Sequence, residues 1–420
     1  MQKQILTAPA VEAVRPEAEA RGLLSKVLDR IKGLATSSTE DARTQRNALI
    51  AFAVRVLSAG LLYVSQVVLA RLMGTFEYGV FVYVWTWVLV LGGLSHLGFG
   101  VTMIRLLPEY RERGQESLLR GLVATGRGIA LGVGALVATL GMIGISLFGN
   151  AIANHAVLPL FIALFCIPGF ALTDLQDGIG RGRGWMGAGL MPPYILRPLL
   201  LLGGTVAAWA AGLPMDARTA AGAAILSTYG ALFLQTWLIG RRLKAELPKG
   251  PMTFAPKAWA WTALPLLVTY AAELVIQNVD VLVVSWVMNP VEVGKYFAAA
   301  KTMSLVLFVH YAVGSAVANR FAALNARGDK AELAAFVRKA VNWTFWPSLA
   351  AALGIVALGK PLLWLFSPTY VDAYPVMLIL VGGFLVRASM GPAEFILNML
   401  GEQKISAMIQ VATAIVATVL

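Results

Sequence analysis

A single cysteine, Cys166, stands in 420 residues, so the chain has no intramolecular disulfide, no cysteine metal site and no thiol redox pair. Its three histidines, His96, His155 and His310, are far apart in sequence, which argues against a histidine metal site. Charge is scarce as well: Asp, Glu, Lys and Arg make up 13%, where a soluble protein carries roughly a quarter. Acidic residues are the rarer sign, 22 against 34 basic, for a net charge of +12. What fills the chain instead is apolar surface, with 58% hydrophobic residues and a mean hydropathy of +0.73. Such a composition implies a protein dissolved in lipid.

Eleven apolar spans can be read, near 47–70, 79–99, 124–148, 156–174, 187–212, 218–240, 259–287, 294–318, 341–359, 374–398 and 404–420. Most approach the ~20 residues a helix needs to cross the hydrocarbon core. With the N-terminus placed in the cytoplasm, 26 Lys and Arg fall on the cytoplasmic side and four on the external side (Arg71, Arg218, Lys295, Lys360). That bias predicts an N-in, multi-pass topology. Because the positive charge follows membrane sidedness, it does not read as a nucleic-acid surface.

Residues 1–46 form an expected cytoplasmic tail with neither a spanning segment nor a signal peptide. Within it, Arg21–Leu34 places Leu23, Leu24, Val27, Leu28, Ile31 and Leu34 on one face, opposite Lys26, Asp29, Arg30 and Lys32. A basic amphipathic helix of that kind would lie on the anionic inner leaflet, contacting membrane lipids. A first lobe of six spans then covers 47–240, a basic linker 241–257, and a second lobe 258–420.

The two lobes repeat one another. Glu77-Tyr78-Gly79 returns as Glu292-Val293-Gly294, Arg113-Gly114 as Arg327-Gly328, Leu147-Phe148 as Leu365-Phe366, and Gly184 as Gly401. The offsets are 215, 214, 218 and 217. An even number of spans per lobe makes this a parallel repeat, the arrangement of transporters whose substrate site lies between repeats near mid-membrane. The repeat also predicts two further spans after 398, whereas the sequence shows one apolar run ending at Leu420. The expectation is therefore two six-helix lobes, the second cut short after five spans.

An ionisable side chain inside a span is costly and is expected to face a polar cavity. Seven stand here: Arg55, Arg197, Glu273, Asp280, Lys301, Arg387 and Glu394. Glu273, Gln277 and Asp280, at i, i+4 and i+7, form one polar stripe two helical turns long. Arg55 and Gln66, eleven residues apart, share one face of the first span. Through the repeat Gln66 corresponds nearly to Asp280, and the equivalent helices differ in sign, with Arg55 on the first and two carboxylates, Glu273 and Asp280, on its copy. Spacing also offers Arg387 a partner in Glu394, and Asp280 a structural ion pair with a neighbouring basic group. Pro192-Pro193, ahead of Arg197, are expected to break their helix and expose backbone carbonyls.

The run Val67-Val68-Leu69-Ala70-Arg71-Leu72-Met73-Gly74-Thr75-Phe76-Glu77-Tyr78-Gly79 resembles the first-helix exit of bacterial polysaccharide-biosynthesis proteins, the oligosaccharide flippases. Ile104-Arg105-Leu106-Leu107-Pro108-Glu109-Tyr110-Arg111, Asn278-Val279-Asp280-Val281-Leu282 and Val293-Gly294-Lys295-Tyr296 are similar to the same family. The resemblance covers about residues 45–420 and extends to the superfamily that also holds multidrug/cation antiporters, built from two six-helix lobes. It implies an all-α polytopic protein of the bacterial inner membrane that exports a lipid-linked oligosaccharide by alternating access. It implies no enzymatic activity and no bound cofactor beyond a coupling Na⁺ or H⁺, and a monomer working beside a polysaccharide polymerase or ligase.

On that reading Arg55, Gln66, Arg197, Lys301 and Arg387 line the substrate cavity, since arginine's planar fork suits phosphate. Glu273, Gln277 and Asp280 take up the coupling ion. One charge crossing 100 mV yields about 2.3 kcal/mol to bias the cycle. Two other functions stand beside this one. A multidrug/cation antiporter of the same fold would prefer acidic and aromatic groups in both lobes. A membrane glycosyltransferase, polymerase or ligase would need acids, bases or metal ligands gathered at one membrane face. The short external loops offer few, such as Asp216, Glu292 and Asp372, and the cytoplasmic loops carry no nucleotide-sugar or phosphate-loop pattern.

Overall fold

A computed structural model describes residues 40–247, 249–327 and 330–419. The amphipathic segment Arg21–Leu34 lies outside the described residues. The described residues fall in two separate units, divided between Ala53 and Val54. The described part of the first unit, 40–53, is helical. The second is also helical throughout, with no strand among the described residues.

In chain order the helices are α1 (Glu40–Leu94), α2 (Phe99–Glu112), α3 (Glu116–Phe148), α4 (Asn154–Leu164), α5 (Cys166–Gly182), α6 (Met186–Met191), α7 (Arg197–Ala210) and α8 (Ala217–Glu246). The second half holds α9 (Pro256–Val287), α10 (Pro290–Met303), α11 (Leu307–Arg327), α12 (Lys330–Ala357), α13 (Gly359–Phe366), α14 (Tyr374–Ser389), α15 (Ala393–Met399) and α16 (Gln403–Val419). Among the described residues, seven helical stretches are long and apolar enough to cross a membrane, or eight with the α4–α5 pair, bent by 48°, taken as one span. One of the seven, Ile50–Glu112, contains both of the first two expected spans. The expected spans 294–318 and 404–420 fall on helices that are interrupted or shorter: α10 and α11, divided by a 3₁₀ turn at Ser304–Val306, and α16.

As a straight rod, the 55 residues of α1 would extend for about 80 Å. They do not, because Gly74 takes φ 75° and ψ 170°, a conformation that costs glycine little and other residues much. The chain folds back there. The Tyr78 hydroxyl donates to Gln66 Oε1 at 2.8 Å, although twelve residues of unbroken helix would put them about 18 Å apart. The corresponding turn of the second half is made by Asn289-Pro290. Asn289 Oδ1 accepts from the Glu292 amide at 3.1 Å, while proline at the first helical position forfeits an N–H that would have had no partner. Asp216 caps α8 similarly, accepting from the Thr219 amide at 2.9 Å.

At Pro192-Pro193 the structure corrects the expected helix break. Residues Pro192–Leu196 widen into one π turn, and helical dihedrals run on into α7. Widening the turn removes the proline clash with the preceding carbonyl while keeping the helix axis. Tyr194 and Arg197 sit on this turn and just after it.

The two halves are fastened together at both ends. At the 74–79 turn the second part of α1 meets α10 backbone to backbone: a Cβ on Gly79 would lie 1.7 Å from the Pro290 carbonyl oxygen. Gly294, its repeat counterpart, approaches Thr75 O and Gly79 N. Leu69, Tyr78 and Phe81 share one buried core there with Ala298, Met303, Phe366 and Tyr370, and Arg71 donates to the carbonyls of Trp364 and Leu365. At the other end the linker packs on the first half. The Thr253 amide donates to Ser117 O (3.0 Å), Arg120 Nε donates to Pro251 O (3.0 Å), and the fully buried Trp259 indole donates to Tyr110 Oη (2.9 Å).

Candidate functional site: a central polar cavity

Between these two fastened ends lies a cavity in two adjoining parts, of about 660 Å³ and about 570 Å³. Gln66, Tyr194, Arg197, Gln277, Lys301 and Arg387 line both parts. The structure brings together all eight residues singled out in the sequence. Arg55 and Glu273 line the first part and Asp280 the second. They come from α1, α7, α9, α10 and α14, so both halves of the chain contribute.

Each side chain is held by its neighbours. The Arg55 guanidinium lies 5.5 Å from the Tyr194 ring centroid. Arg197 is flanked by two aromatic faces, Phe170 at 4.8 Å and Trp85 at 6.0 Å. The Lys301 ammonium sits 4.9 Å from the Phe297 ring. Ring faces attract cations without neutralising them, so the charge stays available to a ligand. Among the described residues, the ion pairs involve other groups and none engages Arg197, Lys301 or Arg387.

The polar stripe forms as its spacing implies. Gln277 Nε2 donates to Glu273 Oε1 at 3.0 Å, and Asp280 Oδ2 accepts from the Tyr296 hydroxyl at 2.8 Å. Asp280 Oδ1 is buried with no hydrogen-bond partner. Among the described residues Asp280 forms no ion pair; its partner is a neutral phenol from α10. The Arg387–Glu394 pair does not form either. The helix is interrupted at Gly391, which has φ 62°, and Glu394 Oε1 accepts from Gln410 Nε2 of α16 at 3.2 Å.

The apolar span 156–174 ends at its first charge, Asp174, and leaves Asp177 outside. In the structure α5 runs on to Gly182, and both aspartates line the second part of the cavity. Asp174 Oδ2 accepts from Tyr270 Oη at 2.6 Å and lies 2.8 Å from His96 Nε2. Asp177, with 1% of its side chain exposed, pairs with Arg181 at 2.7 Å one turn later. The i, i+3 aspartates followed by arginine were the available sequence signal.

This architecture is that of a helical, multi-span membrane transporter with a mixed-charge cavity between two halves. Residues 44–190 match the family model for polysaccharide biosynthesis proteins, and residues 265–420 match that for MatE. Each match covers about a third of the chain, one in each half. Its fold is similar to an inward-facing multidrug resistance MATE family transporter (16% identity, TM-score 0.65), covering 87% of this chain and 88% of that one. An outward-facing multidrug resistance MATE transporter matches with 16% identity and a TM-score of 0.54, covering 88% and 84% of the two chains. A third similar structure is a MOP superfamily transporter from Pyrococcus furiosus, described as having a binding pocket of reversed polarity that suggests a different function. There the identity is 17%, the TM-score 0.57, and the coverage 89% and 85%. No curated protein matches the chain in sequence.

Proposed function

We propose that this protein is a flippase that moves a lipid-linked oligosaccharide across the bacterial inner membrane by alternating access and is not an enzyme. The observation that carries the proposal is the set Arg197, Lys301 and Arg387, three cations facing one cavity with no ion-paired carboxylate among the described residues. Cations kept unpaired in a low-dielectric cavity are costly unless an anion arrives. A pyrophosphate supplies one, and it suits the guanidinium fork. The lipid tail stays in the bilayer while the headgroup passes between the halves. Glu273, Gln277 and Asp280 serve as the site for a coupling Na⁺ or H⁺, supported by the unpartnered Asp280 Oδ1.

With the N-terminus cytoplasmic, the Gly79–Gly294 contact is on the outer side. In this picture the protein works as a monomer and hands its cargo to a polysaccharide polymerase or ligase outside. A second reading, a multidrug/cation antiporter, is supported by the MatE match over 265–420. Aromatic side chains in the cavity, Tyr63, Tyr194 and Phe395, also suit it. Complementation separates the two. In a bacterium lacking its own polysaccharide flippase, the flippase reading expects restored surface glycan, lost in Arg197→Gln at equal membrane abundance. Raised drug resistance without surface glycan favours the antiporter.

A further inference from the structure

The basic linker after the first half begins inside α8, and its cations stand apart from the cavity. Arg241, Arg242 and Lys244 are exposed near the end of this helix and line neither part of the cavity. Other exposed or partly exposed arginines near helix ends are held by carboxylates: Arg113 by Glu109, Arg120 by Glu116 and Arg320 by Glu332. Among the described residues, no ion pair engages Arg241, Arg242 or Lys244. The two arginines have rings for neighbours instead. The Arg241 guanidinium lies 5.8 Å from the Trp237 ring centroid, and that of Arg242 lies 5.9 Å from Trp185. A ring face steadies a cation and leaves its charge uncompensated.

Behind these cations is a buried support. Arg183 pairs with Glu246 at 2.6 Å and lies 5.2 Å from the Trp185 ring centroid. The Trp185 indole N–H donates to the second oxygen of Glu246 at 3.1 Å. Arg183 and Glu246 cancel in charge, which leaves Arg241, Arg242 and Lys244 as a positive rim around a fixed tryptophan.

Below the rim α8 presents an apolar face, on which Leu226, Phe233 and Trp237 are exposed. At about 100° per residue these three and Lys244 lie within roughly 40° of one another. One stripe therefore runs from aliphatic surface through an aromatic ring to a cation. Arg241 stands beside the stripe, and Arg242 is about 100° further round, toward Trp185. That order matches a phospholipid read from its tails upward: hydrocarbon, the interfacial level where tryptophan settles, then phosphate.

We propose that this end of α8 binds a membrane phospholipid with an anionic headgroup. Its phosphate sits at Arg241 and Arg242, and its tails lie along Leu226, Phe233 and Trp237. A headgroup with two phosphates suits the site best, because the two guanidiniums diverge and each can fork onto a phosphate of its own. A zwitterionic lipid brings an ammonium toward the same three cations and is disfavoured. The site is separate from the cavity and does not depend on what the cavity carries.

The test is lipid binding to the full chain, purified in detergent, with bound lipid counted by native mass spectrometry. Cardiolipin and phosphatidylethanolamine are titrated separately. Wild type should bind cardiolipin and take up phosphatidylethanolamine far less. Arg241→Gln/Arg242→Gln should weaken cardiolipin binding by about tenfold or more, roughly what two charges contribute at a membrane surface. Arg338→Gln/Lys339→Gln removes the same charge from an exposed face of α12 and should leave binding unchanged. Unchanged binding in Arg241→Gln/Arg242→Gln overturns the site, as does an equal loss in the α12 variant or equal uptake of phosphatidylethanolamine. Displacement of cardiolipin by a polyprenyl pyrophosphate also overturns it, and would put this surface on the path of the cargo instead.

Discussion

The Tyr296 hydroxyl donates to Asp280 Oδ2 at 2.8 Å across the turn at Asn289-Pro290, sixteen residues back along the chain. The first half makes a similar closure, from Tyr78 to Gln66 across the turn at Gly74. In each half a tyrosine beyond the turn reaches a polar residue on the helix before it. Gln66 and Asp280 are the two positions that the 214–215 offset brings nearly into register. One is a neutral amide and the other a carboxylate with an unpartnered oxygen, and on that difference rests the proposal of an ion site in the second half.

Asp280→Asn should therefore uncouple transport from the ion gradient while leaving the protein folded. The check is uptake into proteoliposomes with and without an imposed Na⁺ or H⁺ gradient. Wild type should respond to one of them and Asp280→Asn to neither. Tyr296→Phe should retain coupling with weaker ion affinity, and it should cost about 1 kcal/mol or more of stability through the lost hydrogen bond.

The backbone contact at Gly79 leaves no room for a side chain, since a Cβ would overlap the Pro290 carbonyl. Gly79→Ala should hold the halves apart at that end. A membrane-impermeant maleimide should then label Thr302→Cys, on a Cys166→Ser background, faster than in the parent, where Thr302 is fully buried. Gly60→Ala, with nothing within 4 Å of its added methyl, should leave labelling unchanged.

Arg183 is a buried cation, its side chain 4% exposed, held 2.6 Å from Glu246 and stacked on Trp185. Trp185 donates to the other oxygen of the same carboxylate at 3.1 Å. Glu246→Ala should lower thermal stability by roughly 1–3 kcal/mol, because it leaves a buried guanidinium unpaired. Solvent around the half-exposed Glu246 keeps the loss below that of a fully buried pair. Differential scanning fluorimetry in detergent reads it directly.

Much of the fold could be read in advance because lipid imposes simple rules. Apolar runs near 20 residues become helices, and a polar residue within them turns toward a cavity. Arg55, Arg197, Lys301 and Arg387 obeyed that rule, as did the i, i+4, i+7 stripe on α9. What escaped follows from the same rules. Ending a span at its first charge hid Asp174 and Asp177, because a helix buried in protein on all sides can carry charge that a lipid-facing one cannot. The π turn at Pro192–Leu196 escaped because proline specifies a disturbance of the helix and not its form. Tyr270 looks like an ordinary apolar-span aromatic in sequence, and only its approach to Asp174 of α5 gives its hydroxyl a role.

The central claim is that Arg197, Lys301 and Arg387 receive an anionic headgroup, and one measurement addresses it most directly. Binding of a polyprenyl-pyrophosphate oligosaccharide to the purified full chain would be measured by microscale thermophoresis, for wild type and for Arg197→Gln, Lys301→Gln and Arg387→Gln. A lost charge-assisted contact is worth about 1.5–3 kcal/mol, so each substitution should weaken binding by roughly tenfold or more. Binding should also weaken with added salt, and a cationic drug should not compete. Unchanged affinity in all three variants, or displacement by the cationic drug, would contradict the account.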